Sequence, residues 1–355
     1  MHQPGTEAVS SHVQAAIAEV ASMDVDPLRK AEAFVDLAID LQKQPRHPQE
    51  LFDALHLYGL AETASLEAGD ALARARAVAG KGSALRRMPG GGVEALDQAQ
   101  DAFAEALPVL REHGAAEEAA EVEMSLGLVL HALANAGRAP INRAVQAYHR
   151  ALRTFTQDAY PREFAILHNN LATAYLGMRM DPEKGAMREA MAVQSFREAL
   201  RVVSLEEDPV EYAMLQNNLG NALQAMRSSH PLENLARAVE AYDEALKVRT
   251  AHDMPVEHAN TLVNRANALM NLPDGYATET PKDALNVENL SEACDHLRKA
   301  RTLFHAGGYA DRAHMVAQLL GELERELLQV GALEGAGEGG REGPHLDDVA
   351  AEAEE

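Results

Sequence analysis

Two small-residue echoes, each returning about every 45 residues, constrain this chain more than any other feature. The first is Ala-x3-aromatic/Leu-x2-Ala: Ala54-Tyr58-Ala61, Ala99-Phe103-Ala106, Ala144-Tyr148-Ala151, Ala192-Phe196-Ala199, Ala238-Tyr242-Ala245 and Ala293-Leu297-Ala300, in steps of 45, 45, 48, 46 and 55. The second is a small residue at Ala38, Gly82, Gly127, Ala172, Gly220 and Ala266. A large residue follows it three positions later: Leu41, Leu85, Leu130, Tyr175, Leu223 and Leu269. Self-similarity at such a period marks stacked units, each burying its apolar face on its neighbours.

Each unit is a helix pair. In the fifth, Leu215, Leu219, Ala222, Leu223 and Met226 share one helical face, and Leu235, Ala238, Val239, Tyr242, Ala245 and Leu246 share another. Pro161, Pro209 and Pro255 each stand two residues before a glutamate, as at helix starts, with Asp208 placed to cap the helix that opens at Pro209. Aromatics make up 4% of the chain and Trp is absent, so the core must be built largely from Ala, Leu, Val and Met, which suits closely packed helices. The fold is therefore expected to be all-α: a right-handed α-solenoid of about six helix pairs plus a terminal helix. The expected boundaries are an N-terminal segment over 1–25 with a short helix, the array over 26–330, and a disordered acidic tail over 331–355. The terminal helix is read from Tyr309, Met315, Leu319, Leu320, Leu323 and Leu327. Met178, Met187, Met191, Met214 and Met226 are expected on core stripes.

The net charge of −23, from 55 Asp and Glu against 32 Lys and Arg, opposes docking on nucleic acid or on anionic membranes. No basic, apolar leader opens the chain and no run of about 18 apolar residues occurs, so a cytoplasmic protein is expected. The lone Cys294 excludes an internal disulfide.

The pattern of small residue, large residue, then Ala-x3-Phe/Tyr-x2-Ala resembles the tetratricopeptide repeat (TPR). "LQNNLGNALQAMR" with "NLARAVEAYDEALKVRT", and "LHNNLATAYLGMR" with "AVQSFREALRVV", carry the resemblance most closely. Both turns of each unit are about six residues longer than in the 34-residue consensus. In this the chain is similar to the long-repeat arrays of kinesin light chains and of bacterial proteins in which such arrays adjoin a CHAT domain.

Two residues before the small position stand Gly80, Ser125, Asn170, Asn218 and Asn264, the last three asparagine. They extend along their helices as Asn170-Thr173, Asn218-Asn221 and Asn264-Asn267-Asn271, with Asn169 and Asn217 alongside. Asparagine is a poor interior helix former, and its amide both donates and accepts. The TPR resemblance implies that such residues line a concave groove and hold an extended ligand chain. The alternative is structural, with the amides capping turns or bonding across adjacent first helices. Arg76, Arg86 and Arg87, basic in an acidic chain, fall toward the same side in the second unit, with Arg265 at the far end. They are expected either to receive acidic groups of a partner or to pair with local glutamates.

No catalytic constellation, cofactor motif or metal-ligand spacing is present. "GKGS" at 80–83 lacks the strand and first glycine of a phosphate loop, and the 15 histidines form no His-x3-His pair. The function expected is a non-catalytic protein–protein interaction scaffold holding a protein or peptide. The alternatives are an accessory or assembly chaperone that binds a folded partner in a metalloenzyme or other larger enzyme complex, and a peptide- or small-molecule-responsive regulator.

Overall fold

In a computed structural model, residues 9–178, 182–274, 276 and 287–329 are described, and the acidic segment 331–355 lies outside them. They form fourteen helices and no strand. The chain divides into two units, residues 1–178 and 179–355.

The first unit holds α1 (Ser11–Ser22), the pairs α2 (Pro27–Lys43) with α3 (Pro48–Ala68), α4 (Ala71–Arg86) with α5 (Gly92–His113), and α6 (Ala116–Asn135) with α7 (Asn142–Ala151), then α8 (Pro161–Gly177). The second holds α9 (Pro182–Ala199), the pairs α10 (Pro209–Ala225) with α11 (Pro231–Leu246) and α12 (Pro255–Leu269) with α13 (Val287–Ala306), then α14 (Ala310–Gln329). Within each unit every helix packs on the next, and first helices also touch one another: α2 with α4, α4 with α6 and α6 with α8 in the first unit, and α10 with α12 in the second. Within each unit the first helices therefore form an inner row.

The small residue of the upstream echo exists to receive a ring. A Cβ added at Gly127 would stand 2.4 Å from a ring carbon of Tyr148, one at Gly82 would stand 2.8 Å from Phe103, and one at Gly220 would stand 2.5 Å from Tyr242. These rings are fully buried, each stabilising by about 1.5–3 kcal/mol relative to exposure. In the sixth pair the ring is replaced by Leu297, the small position is Ala266, and both sit in one buried cluster with Phe304 and Leu320.

Ends and joints follow local chemistry. Asp26 and Asp70 accept from the backbone N–H groups of Arg29 and Ala73 and so cap α2 and α4. Gly69 closes α3 at φ 68°, a left-handed conformation that only glycine adopts cheaply. Pro161, Pro209 and Pro255 open their helices with Glu163, Glu211 and Glu257 in the first turn. The extra length before them is one repeated turn, in which the N–H of Tyr160, Asp208 and Met254 donates to the carbonyl of Thr156, Ser204 and Thr250. Asp208 departs from its expected role: its side chain makes no cap bond, and its carbonyl instead accepts the N–H of Tyr212. Buried Asp274 starts α13 by accepting from the N–H groups of Glu288 and Asn289, both at 2.8 Å.

Two expectations about apolar side chains are corrected. On α14 the buried stripe is Ala313, Val316, Leu320, Leu323 and Leu327, at helical spacing, whereas Tyr309 and Met315 lie off it and are exposed. Met187 and Met191 likewise face solvent rather than core.

Candidate functional site

Because first helices form the inner row, the asparagines fall on it, but neighbouring residues meet different fates. In the second unit Asn217 is buried, and its Oδ1 accepts from the hydroxyl of Thr261 at 3.1 Å and from Nδ2 of Asn264 at 3.3 Å. Arg249 donates to the same Thr261 hydroxyl at 2.9 Å. This network ties α10 to α12, so Asn217 and Asn264 bond across adjacent first helices. Asn221 accepts from the Tyr242 hydroxyl at 2.8 Å, and Asn271 donates to the Asn267 carbonyl at 2.8 Å.

Asn218 and Asn267 are half-buried, and among the described residues their side-chain amides make no hydrogen bond. In the first unit Thr173 donates to the carbonyls of Asn169 and Asn170 at 3.2 and 2.9 Å, bending its hydroxyl onto its own helix. The Asn169 Oδ1 is buried without a hydrogen-bond partner, and the Asn170 amide makes no bond among the described residues.

The arginines separate in the same way. Arg76 pairs with Glu118 at 2.8 Å, and Arg87 donates to the Gln42 carbonyl at 2.5 Å. Arg265 is held between Asp243 and Glu292, each at 2.6 Å. Arg86 is different. It has no ion pair among the described residues, and its Nε is buried without a partner, as is the Tyr148 hydroxyl. Burial first, and then the charge of Arg87, lowers its pKa.

Beside Arg265 lies His296, whose pKa falls from 6.5 to about 4, first through burial and then through the Arg265 charge. Arg265 donates to its Nδ1 at 3.4 Å, which requires that nitrogen to be unprotonated. The folded chain thus resists a proton that the unfolded chain accepts. Stability from this group is complete above pH 6.5 and is lost as the pH falls toward about 4. Urea titrations across that window should show the loss, and His296→Gln should flatten it. An unchanged pH profile in His296→Gln would rule the group out as its source.

Among the described residues no group of three or more metal-ligating side chains is gathered, and no helix is long and apolar enough to cross a membrane. Sequence reasoning missed a cleft between α12 and α14, about 300 Å³, bounded by Asn260, Val263, Asn264, Arg312 and Met315. Its only trace in the sequence is Met315 set beside, rather than on, the apolar stripe of α14.

No family model and no curated protein matches this sequence. The fold is similar to that of a signal transduction ATPase with numerous domains, carrying a tetratricopeptide repeat sensor, from Pyrococcus horikoshii, with 17% identity and a TM-score of 0.52 over 86% of this chain. The fold is of the tetratricopeptide-repeat type. This TPR array spans 42% of the length of that ATPase chain. It is also similar to the TPR2AB domain of yeast Sti1 solved with pHSP90, at 17% identity and a TM-score of 0.26 over 83% of this chain and 99% of that one. A further neighbour is the APC/C hetero-tetramer Cut9–Hcn1, at 16% identity and a TM-score of 0.33 over 90% of this chain and 60% of that one.

Proposed function

We propose that this TPR array is a non-catalytic interaction scaffold that holds an extended segment of a partner protein along an inner row of first helices. The observation that carries this reading is the pair of half-buried amides, Asn218 and Asn267, which make no hydrogen bond among the described residues, beside Asn217 and Asn264, which are locked together. A primary amide on a partly desolvated surface has both a donor and an acceptor to satisfy, and a peptide backbone offers both whatever its side chains. In the first unit Asn170 offers the same chemistry, and Arg86 adds a positive charge that no described carboxylate neutralises. A partner segment bearing acidic residues is favoured there.

The test separates the two kinds of asparagine. Asn218→Ala with Asn267→Ala should weaken partner capture about tenfold, at about 0.5–1.5 kcal/mol per lost hydrogen bond, with melting unchanged. Asn217→Ala should do the opposite, lowering stability by about 1–2 kcal/mol by unpicking the Thr261–Asn264 network while capture persists. Undiminished capture by the double variant would sink the reading.

A further inference from the structure

We propose that the cleft between α12 and α14 is a side-chain pocket for a partner segment that sets one large apolar residue beside a carboxylate. This rests on the scaffold reading above and names the chemistry of one end of it. The pocket has an apolar floor from Val263, Phe304, Met315 and Leu319, and a polar rim from Asn260, Asn264 and Arg312. Its volume, about 300 Å³, is at the lower end of small-ligand pockets and suits one or two side chains.

Met315 is 61% exposed and Leu319 half-buried, so apolar surface is left uncovered at the mouth. Burying it under a partner side chain is the kind of contact that anchors an interface, and a methionine adapts its shape to what arrives. Charge decides the rest. Arg265 and Arg298, on the neighbouring helices, each carry two ion pairs. Arg312 has none among the described residues, in a chain of net charge −23. Its guanidinium is held instead over the rings of Tyr309 and Phe304, 5.3 and 5.8 Å from their centroids, with a 3.5 Å contact to Asn260 Oδ1. Aromatic faces fix a cation without neutralising it, so the charge is positioned in advance for an incoming anion.

The two asparagines complete the rim. Asn264 commits its Nδ2 to Asn217, which leaves its oxygen to accept a peptide N–H. Asn260 accepts from Arg312 and keeps its N–H groups for a peptide carbonyl. Together the rim reads one backbone unit and one acid, and the floor reads one apolar side chain. An acidic–apolar dipeptide within an extended segment fits all three.

The probe is a random peptide library displayed on phage, selected against the full chain. Selected peptides are expected to share Leu, Met or Phe next to Asp or Glu. A synthetic copy of one should bind Arg312→Glu or Met315→Asp about tenfold or more weakly. Both positions are exposed, so melting should not change. Selection against Arg312→Glu should replace the acid by Lys or Arg, because the repulsion is reversed. The proposal is overturned if no shared motif emerges, or if pocket variants leave affinity unchanged. Peptides that lose affinity in Asn218→Ala with Asn267→Ala but ignore the pocket variants would overturn it while leaving the scaffold reading intact. Enrichment of sequences matching residues 331–355, or self-association abolished by Met315→Asp, would also overturn it by naming the chain itself as occupant.

Discussion

Phe103→Ala is expected to lower the unfolding free energy by about 3–5 kcal/mol, the range for losing a fully buried aromatic ring. Phe103 is 0% exposed and lies on the backbone of α4 at Gly82, where a glycine leaves no side-chain atom to fill the space. Truncation therefore leaves a cavity walled by helix backbone, which collapses poorly. In a repeat protein each pair touches only its neighbours, so the damage should loosen α4 and α5 from the pairs on either side and broaden the urea transition. Met187→Ala is the control: at 71% exposure it should change stability by no more than about 0.5 kcal/mol. Equal effects from the two substitutions would mean that the small-residue echo does not mark the core.

The second large effect runs against helix propensity. Gly127→Ala should stabilise an isolated helix by about 1 kcal/mol. Here it should instead destabilise the fold by about 1–3 kcal/mol, the usual scale of overpacking. The new Cβ would lie 2.4 and 2.5 Å from two ring carbons of Tyr148, and that ring is 0% exposed with nowhere to go. Tyr148→Leu in the Gly127→Ala background should recover part of the loss, a coupling of about 0.5–3 kcal/mol in a double-mutant cycle. The sixth pair already holds this combination, with Ala266 and Leu297 in one core. Additive effects of the two substitutions would remove the ring–glycine contact as the reason for the echo.

The fold was legible because its cause is periodic. Ala54-Tyr58-Ala61 and its four aromatic copies mark where second helices press their rings, and Gly82, Gly127 and Gly220 mark where first helices receive them. A spacing set by close packing is written into residue size at every turn of the array. The pairing of helices and their order follow from it, while the closing α14 is read from its own apolar pattern.

The candidate site was legible only to the level of a face. Asn217 and Asn218 are adjacent and identical, yet one is buried in a network with Thr261 and the amide of the other makes no hydrogen bond among the described residues. What separates them is the 100° turn between successive helical residues combined with the position of α12, which no local pattern encodes. The arginines show the same limit. Arg76 and Arg87 were within reach of Glu118 and the Gln42 carbonyl, while Arg86 turned toward Tyr148. Met315 was misread because a five-residue stripe on α14 absorbed every apolar neighbour, although it stands 100° away from Val316.

Site-specific photo-cross-linking is the most direct test of the central claim. A photoreactive residue would replace Asn218 or Asn267 on first helices, and Glu240 on the exposed side of α11, with adducts mapped by mass spectrometry in extracts of the source cells. Adducts from 218 and 267 that map to one contiguous segment of one protein, with none from 240, are the result predicted. Adducts from 240 alone, or a scatter of unrelated proteins from 218, would contradict it.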